Sequence, residues 1–209
     1  MSNENHSNPS IKEIENRILS LLEERAPLPP KRANSSEARV LVDQIIELHR
    51  LLSKEGEPPE GIKDFQTRFT ELIAHECCLA ELSIYLFDCL CYAQQSPYDG
   101  FEQACWMRSA AQLLYDICID WDHPDSTAVR EVYEEHIEEI DETFRNSAWE
   151  IPPVLEEDFP DWVPESHWWW NVPIRKDMSP EERDRRINFA FYDAMGFLEE
   201  KKKKDKKDE

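Results

Sequence analysis

Glycine is nearly missing from this chain, with four residues in 209 against fourteen prolines. Tight hairpins and phosphate-cradling loops both rely on glycine, so neither a sheet of short strands nor a nucleotide-binding loop is expected. Runs that alternate apolar and polar residues are also lacking, which leaves the helix as the regular structure. The longest apolar run, Cys77 to Cys91, is broken by Glu81 and Asp88 and falls short of the roughly 18 uncharged residues of a membrane span. Met1 to Pro9 is polar and lacks the basic start and apolar centre of a secretion signal, so cytosolic residence and no membrane role are expected. Base is scarce as well: 24 Lys and Arg face 45 Asp and Glu, a net charge of −21 at pH 7. A chain so acidic repels nucleic acid and suits a basic protein.

Catalytic signatures are equally thin. The sequence contains no Gly-x-Ser-x-Gly elbow, P-loop or dinucleotide fingerprint. Di-iron bundles use Glu-x-x-His, but Leu72 and Tyr133 stand three residues before His75 and His136. The six cysteines, Cys77, Cys78, Cys89, Cys91, Cys105 and Cys118, fall in apolar helical sequence without a paired C-x-x-C. They are expected to be buried thiols rather than zinc ligands, and no cofactor is expected.

What the sequence does carry is helical periodicity. Ser10 and Glu13 form a capping box ahead of Ile14, Ile18, Leu21 and Leu22, predicting a first helix that ends near Arg25, before Pro27. Val42, Ile45, Ile46, Leu48 and Leu52 form the stripe of a second helix, starting around Asn34 to Ser36 and stopping at Gly56 and Pro58. Ile62 to Gln95 repeats apolar residues from Phe65 to Leu90 at near-helical spacing, either as one helix of about 50 Å or as two in succession. A further helix begins near Asp99 with Glu102 as capping partner. The next, Ser126 to about Asn146, is acidic and amphipathic, with Val129, Val132, Tyr133, Ile137, Ile140 and Phe144 on its apolar edge. Five prolines and five tryptophans between Trp149 and Pro173 rule out a regular helix there. Ser179-Pro180-Glu181-Glu182 then starts a last helix, followed by a charged tail expected to be disordered. The expectation is an all-α fold: an irregular bundle of about six helices in one domain, 10–200, with an extended Pro/Trp arm over 149–178, between a disordered 1–9 and the tail 201–209.

Between Glu131 and Glu165 thirteen Asp and Glu face one base, Arg145, a local charge of −12. Carboxylates in that density speed the approach of a basic partner by long-range steering. Glu134, Glu135, Glu138, Glu139, Asp141 and Glu142 are therefore the expected docking residues, with Trp162, Trp168, Trp169 and Trp170 as aromatic anchors. Three consecutive tryptophans on an extended segment cannot all face one core, so at least one ring is expected to be partly exposed. The function class this implies is an inhibitor, an antitoxin or immunity-like protein, or a subunit of a larger assembly. Its partner would be a protein with a basic surface, nucleases and nucleic-acid-binding proteins being of that class.

Two alternatives rest on smaller constellations. Asp120, Asp122, His123 and Asp125 gather oxygen and nitrogen donors at a helix end, which would suit a metal-dependent hydrolase, although the calcium-loop glycine and distant Glu are missing. Arg68 with His75, and Arg130 with His136, have a spacing that resembles the weak signature of HEPN-type helical ribonucleases. The resemblance implies that the His acts on the ribose hydroxyl or leaving group while the Arg stabilises phosphate charge. The residue after the Arg, often polar in that signature, is Phe69 or Glu131 here, and the net charge opposes RNA binding.

Overall fold

A computed structural model describes residues 9–55, 59–95, 100–147 and 159–172. Among them are six α-helices and no strand: α1 Ile11–Arg25, α2 Ser35–Glu55, α3 Ile62–Ile73, α4 Glu76–Gln94, α5 Phe101–Leu113 and α6 Ser126–Ser147. The fold is all-α, as the periodicity predicts. Met1–Asp88 with Met107–Ile137 form one compact unit, and Cys89–Trp106 with Glu138–Glu209 a second. The expected last helix from Ser179, the charged tail and the proposed cap at Asp99 lie outside the described residues.

In the first unit, α1 starts at the capping box read from the sequence: the Ser10 side chain accepts from the Glu13 amide, and the Glu13 carboxylate accepts from the Ser10 amide at 2.7 Å. The Asn34 side chain caps α2 by accepting from the Glu37 amide at 3.2 Å. Helix α1 packs against α2 and α3, burying Ile14, Ile18 and Leu22 against a core that includes Ile45, Leu48, Phe65 and Phe69. Burial of each such side chain contributes about 1.5–3 kcal/mol.

The segment Ile62 to Gln95 is two helices. It breaks at Ala74 and His75, where the His75 amide reaches back only three residues, to the Leu72 carbonyl. Neither Pro nor Gly marks the break, and Gly61, at φ 88°, instead supplies the left-handed turn before α3. Beyond Leu113 the chain widens into a π-turn, Leu114–Cys118, that packs against α2 and α3.

One ion pair is built into this core. Arg25, at the end of α1, donates from Nε and Nη2 to Glu81 of α4, with Cys77 Sγ 3.9 Å away. The Glu81 side chain is only 7% exposed, so its charge depends on Arg25 for compensation. The Glu81 hydrogen bond in turn holds the Arg25 pKa above its ordinary value.

In the second unit, Phe101 and Phe144 meet edge to face at 5.3 Å, and Trp106 meets Trp162 at 5.7 Å. Gly100 stands at the start of α5 because nothing larger fits there: a Cβ would lie 2.3 Å from the Tyr92 carbonyl oxygen. The described part of the arm, 159–172, is irregular apart from a 3₁₀ turn at Trp168–Asn171.

Arg25→Met should lower the unfolding free energy by about 3–5 kcal/mol in urea titration, by stranding Glu81. Arg25→Met combined with Glu81→Leu should recover most of that loss. Gly100→Ala should cost about 1–3 kcal/mol in the same assay, since the clash is with backbone that cannot rotate away.

Candidate functional site: the carboxylate face of α6

Helix α6 divides cleanly. Val129, Tyr133, Ile140 and Phe144 are buried, with Val132 and Ile137 half-buried beside them. Glu131, Glu134, Glu135, Glu138, Glu139 and Glu142 are exposed, and Asp141 is half-buried. The helix has two bases, Arg130 and Arg145, each spaced to reach a carboxylate three or four residues away. Both lie instead over tryptophan rings: the Arg130 guanidinium is 4.9 Å from the Trp121 centroid, and that of Arg145 is 4.8 Å from the Trp168 centroid. Among the described residues no cation comes within ion-pair distance of those six glutamates, although Arg39, Lys63 and Arg68 all find acidic partners elsewhere.

Three of the arm's four described tryptophans are buried. Trp169 donates from Nε1 to the Cys105 carbonyl at 3.2 Å and stacks on His167 at 4.5 Å, while Trp170 packs against Phe159 at 5.3 Å. Trp162, Trp169 and Trp170 are 3–5% exposed. Three of the four rings expected as anchors are thus buried within the chain's own packing, and the indole N–H of Trp169 finds the partner that burial requires. Trp168 is the half-buried exception, sharing its contacts between Trp169 and Arg145.

The Asp120 to Asp125 cluster does not converge on a cation site. The Asp120 carboxylate is buried and already accepts from Lys63, from Thr67 Oγ1 at 2.7 Å and from the Asp122 amide at 3.1 Å. Chiefly Lys63, then Thr67, hold its pKa below the ordinary carboxylate value. The Asp122 side chain is 95% exposed, and His123 Nδ1 accepts from the Asp125 amide at 3.3 Å. Among the described residues no three His, Cys, Asp or Glu side chains are placed to hold a metal ion. The cluster is a tie between α3 and the exit of the π-turn, reinforced by the Asp120 amide donating to Thr70 Oγ1 at 2.8 Å.

The Arg and His pairs are separated by local geometry. Arg68 is held by Glu71 at 3.0 Å and Glu23 at 3.1 Å, while His75 is exposed at the break after α3. Arg130 and His136 lie six residues apart on one helix, so their side chains leave the axis about 120° apart. Arg130 turns to Trp121, whereas His136 Nε2 shares a 3.0 Å hydrogen bond with Ser83 Oγ of α4.

All six cysteines are free thiols; five are buried and Cys91 is half-buried. Burial, followed by the nearby Glu81 charge, pushes the Cys78 thiol up to about 12, and burial likewise raises Cys77, Cys105 and Cys118. Among the described residues no helix is long and apolar enough to cross a membrane. Compared with protein families, curated proteins and solved structures, the chain matches none.

The thiols give a direct check. A chromogenic disulfide reagent at pH 8 should modify at most Cys91 in the native protein and all six cysteines in urea. The stabilisation from keeping Cys78 protonated is fully present below the unfolded thiol's value of 9.0 and is lost as pH rises towards about 12. The urea midpoint should therefore fall across that alkaline window, less steeply in Cys78→Ala.

Proposed function

We propose that this chain is an acidic protein-binding module that docks a basic partner protein on the outward face of α6. The observation that carries the reading is that both bases of α6 lie on tryptophan rings, leaving Glu131, Glu134, Glu135, Glu138, Glu139 and Glu142 unpaired among the described residues. Carboxylates that are only a solvated face are commonly interspersed with Lys and Arg at three- and four-residue spacing. Here that neutralisation is withheld along the face, and such unpaired charge steers an oppositely charged surface toward it.

The carboxylates would govern association rate and salt dependence, while the half-buried Trp168 would contribute ring surface at the edge of the contact. Such a module serves as an inhibitor, an antitoxin or immunity-like protein, or a subunit that holds a basic component of a larger assembly, in a reducing cytosol that keeps its six thiols free. Nucleic acid is disfavoured as a direct ligand by the same carboxylates.

Affinity capture of the tagged protein from its native cells, at low and high salt and with and without nuclease, tests this. The expected result is a basic protein retained at low salt, insensitive to nuclease and lost from the Glu134→Lys, Glu135→Lys, Glu138→Lys, Glu139→Lys variant. Recovery of RNA alone, of no protein, or of a protein indifferent to the charge reversal would overturn the reading.

A further inference from the structure

Trp121 belongs to a continuous aromatic ladder. Its ring centroid lies 4.2 Å from that of Tyr115, and Tyr115 stacks on Tyr133 at 4.1 Å with 21° between the planes. Tyr133 is buried and fixed from below: Arg108 donates to its hydroxyl at 2.9 Å, and that hydroxyl donates to Gln112 Oε1 at 2.7 Å. Tyr115 sits in the π-turn that follows α5, a local widening often found at functional sites. The outer rungs, Trp121 and Tyr115, are half-buried, and over Trp121 rests the guanidinium of exposed Arg130. Carboxylates flank the rungs. Burial raises the Tyr115 pKa, Arg130 opposes that rise, and Glu134 and Asp116 add to it. Asp116 also accepts from Gln112 Nε2 at 2.7 Å, which holds it in place.

We infer that the Trp121–Tyr115 rungs form an arginine-accepting site on the docking surface, where a guanidinium of the basic partner takes the place of Arg130 over Trp121; this rests on the docking reading above. The chain itself supplies the precedent, because its own arginine already occupies that ring face. Cation–π contact at an exposed site is weak, so Arg130 is displaceable, and the incoming guanidinium gains the Glu134 carboxylate one helical turn from Arg130 as well as the ring. A guanidinium stacks flat on an aromatic plane and sheds water more readily than an ammonium, so the site selects arginine over lysine. A row of glutamates alone discriminates far less between the two. The partner is therefore a protein whose basic surface presents arginine.

The test is isothermal titration of the full chain with capped hexa-arginine and hexa-lysine peptides, read as the ratio of their Kd values, alongside the indole N–H resonance of Trp121. Trp121→Leu should cut the arginine preference by about threefold to fivefold while leaving hexa-lysine affinity within about twofold. Arg130→Gln, which clears the ring, should raise the preference, and the Trp121 indole resonance should move with hexa-arginine and not with hexa-lysine. Trp121→Phe, with a weaker ring quadrupole, should fall between wild type and Leu and serves if the Leu variant loses helical content. An unchanged ratio in Trp121→Leu or Trp121→Phe, or an indole resonance that ignores hexa-arginine, overturns this inference while peptide binding that disappears on reversing Glu134 to Glu139 leaves the docking reading intact. If neither peptide binds, or charge reversal changes nothing, the docking reading falls and the arginine site with it.

Discussion

The charge of the α6 surface depends on where two guanidinium groups rest. Had Arg130 and Arg145 reached along α6 to the carboxylates three or four residues away, the helix would be an ordinary salt-bridged surface with little field of its own. Trp121 and Trp168 hold them instead at 4.9 and 4.8 Å. Each ring therefore does two things at once: it packs, and it keeps a cation off the carboxylates. The glutamates left unpaired among the described residues repel one another at a cost to the helix, and the buried stripe through Val129, Tyr133, Ile140 and Phe144 supplies the apolar burial that offsets it.

Polar ties fix the elements that carry this arrangement. Arg25 and Glu81 join α1 to α4, and the groups that accept and donate around Asp120 fix the exit of the π-turn immediately before Trp121. Placing Trp121 depends on that exit, since the ring follows Asp120 by one residue. Within the second unit, the reciprocal bonds between Trp169 and Cys105, from indole to carbonyl and from thiol to carbonyl, hold the 3₁₀ turn from which Trp168 projects. The buried Asp120 carboxylate and the buried Trp169 indole N–H, one on each tryptophan support, thus have the partners that burial demands of them.

Much of this was legible in the residues. Helical periodicity marked α1, α2 and α6 nearly to their ends because their caps and apolar stripes agree, as at Ser10 and Glu13. The break between α3 and α4 was not, since no Pro or Gly marks Ala74 and His75. The acidic face was visible as composition, whereas its lack of internal pairing was not, because one-dimensional spacing offers Arg130 and Arg145 carboxylate partners that three-dimensional packing replaces with rings. The tryptophans misled for a related reason. Exposure of an irregular segment cannot be read from alternation, and a 3₁₀ turn directs Trp169 and Trp170 inward where an extended strand would send neighbours to opposite sides. The aromatic ladder left no sequence signal at all: Tyr115, Trp121 and Tyr133 share no simple spacing and meet only through the π-turn.

The most direct measurement is the association rate of a basic probe protein with the wild-type chain and with a variant carrying Gln at 131, 134, 135, 138, 139 and 142, followed by stopped flow across a range of ionic strength. If the α6 carboxylates are the unneutralised steering surface, the wild-type rate should fall steeply with salt, and the Gln variant should be about tenfold or more slower at low salt with a nearly flat dependence. Equal salt slopes for the two proteins would contradict the account, because the remaining negative charge of the chain would then suffice without α6.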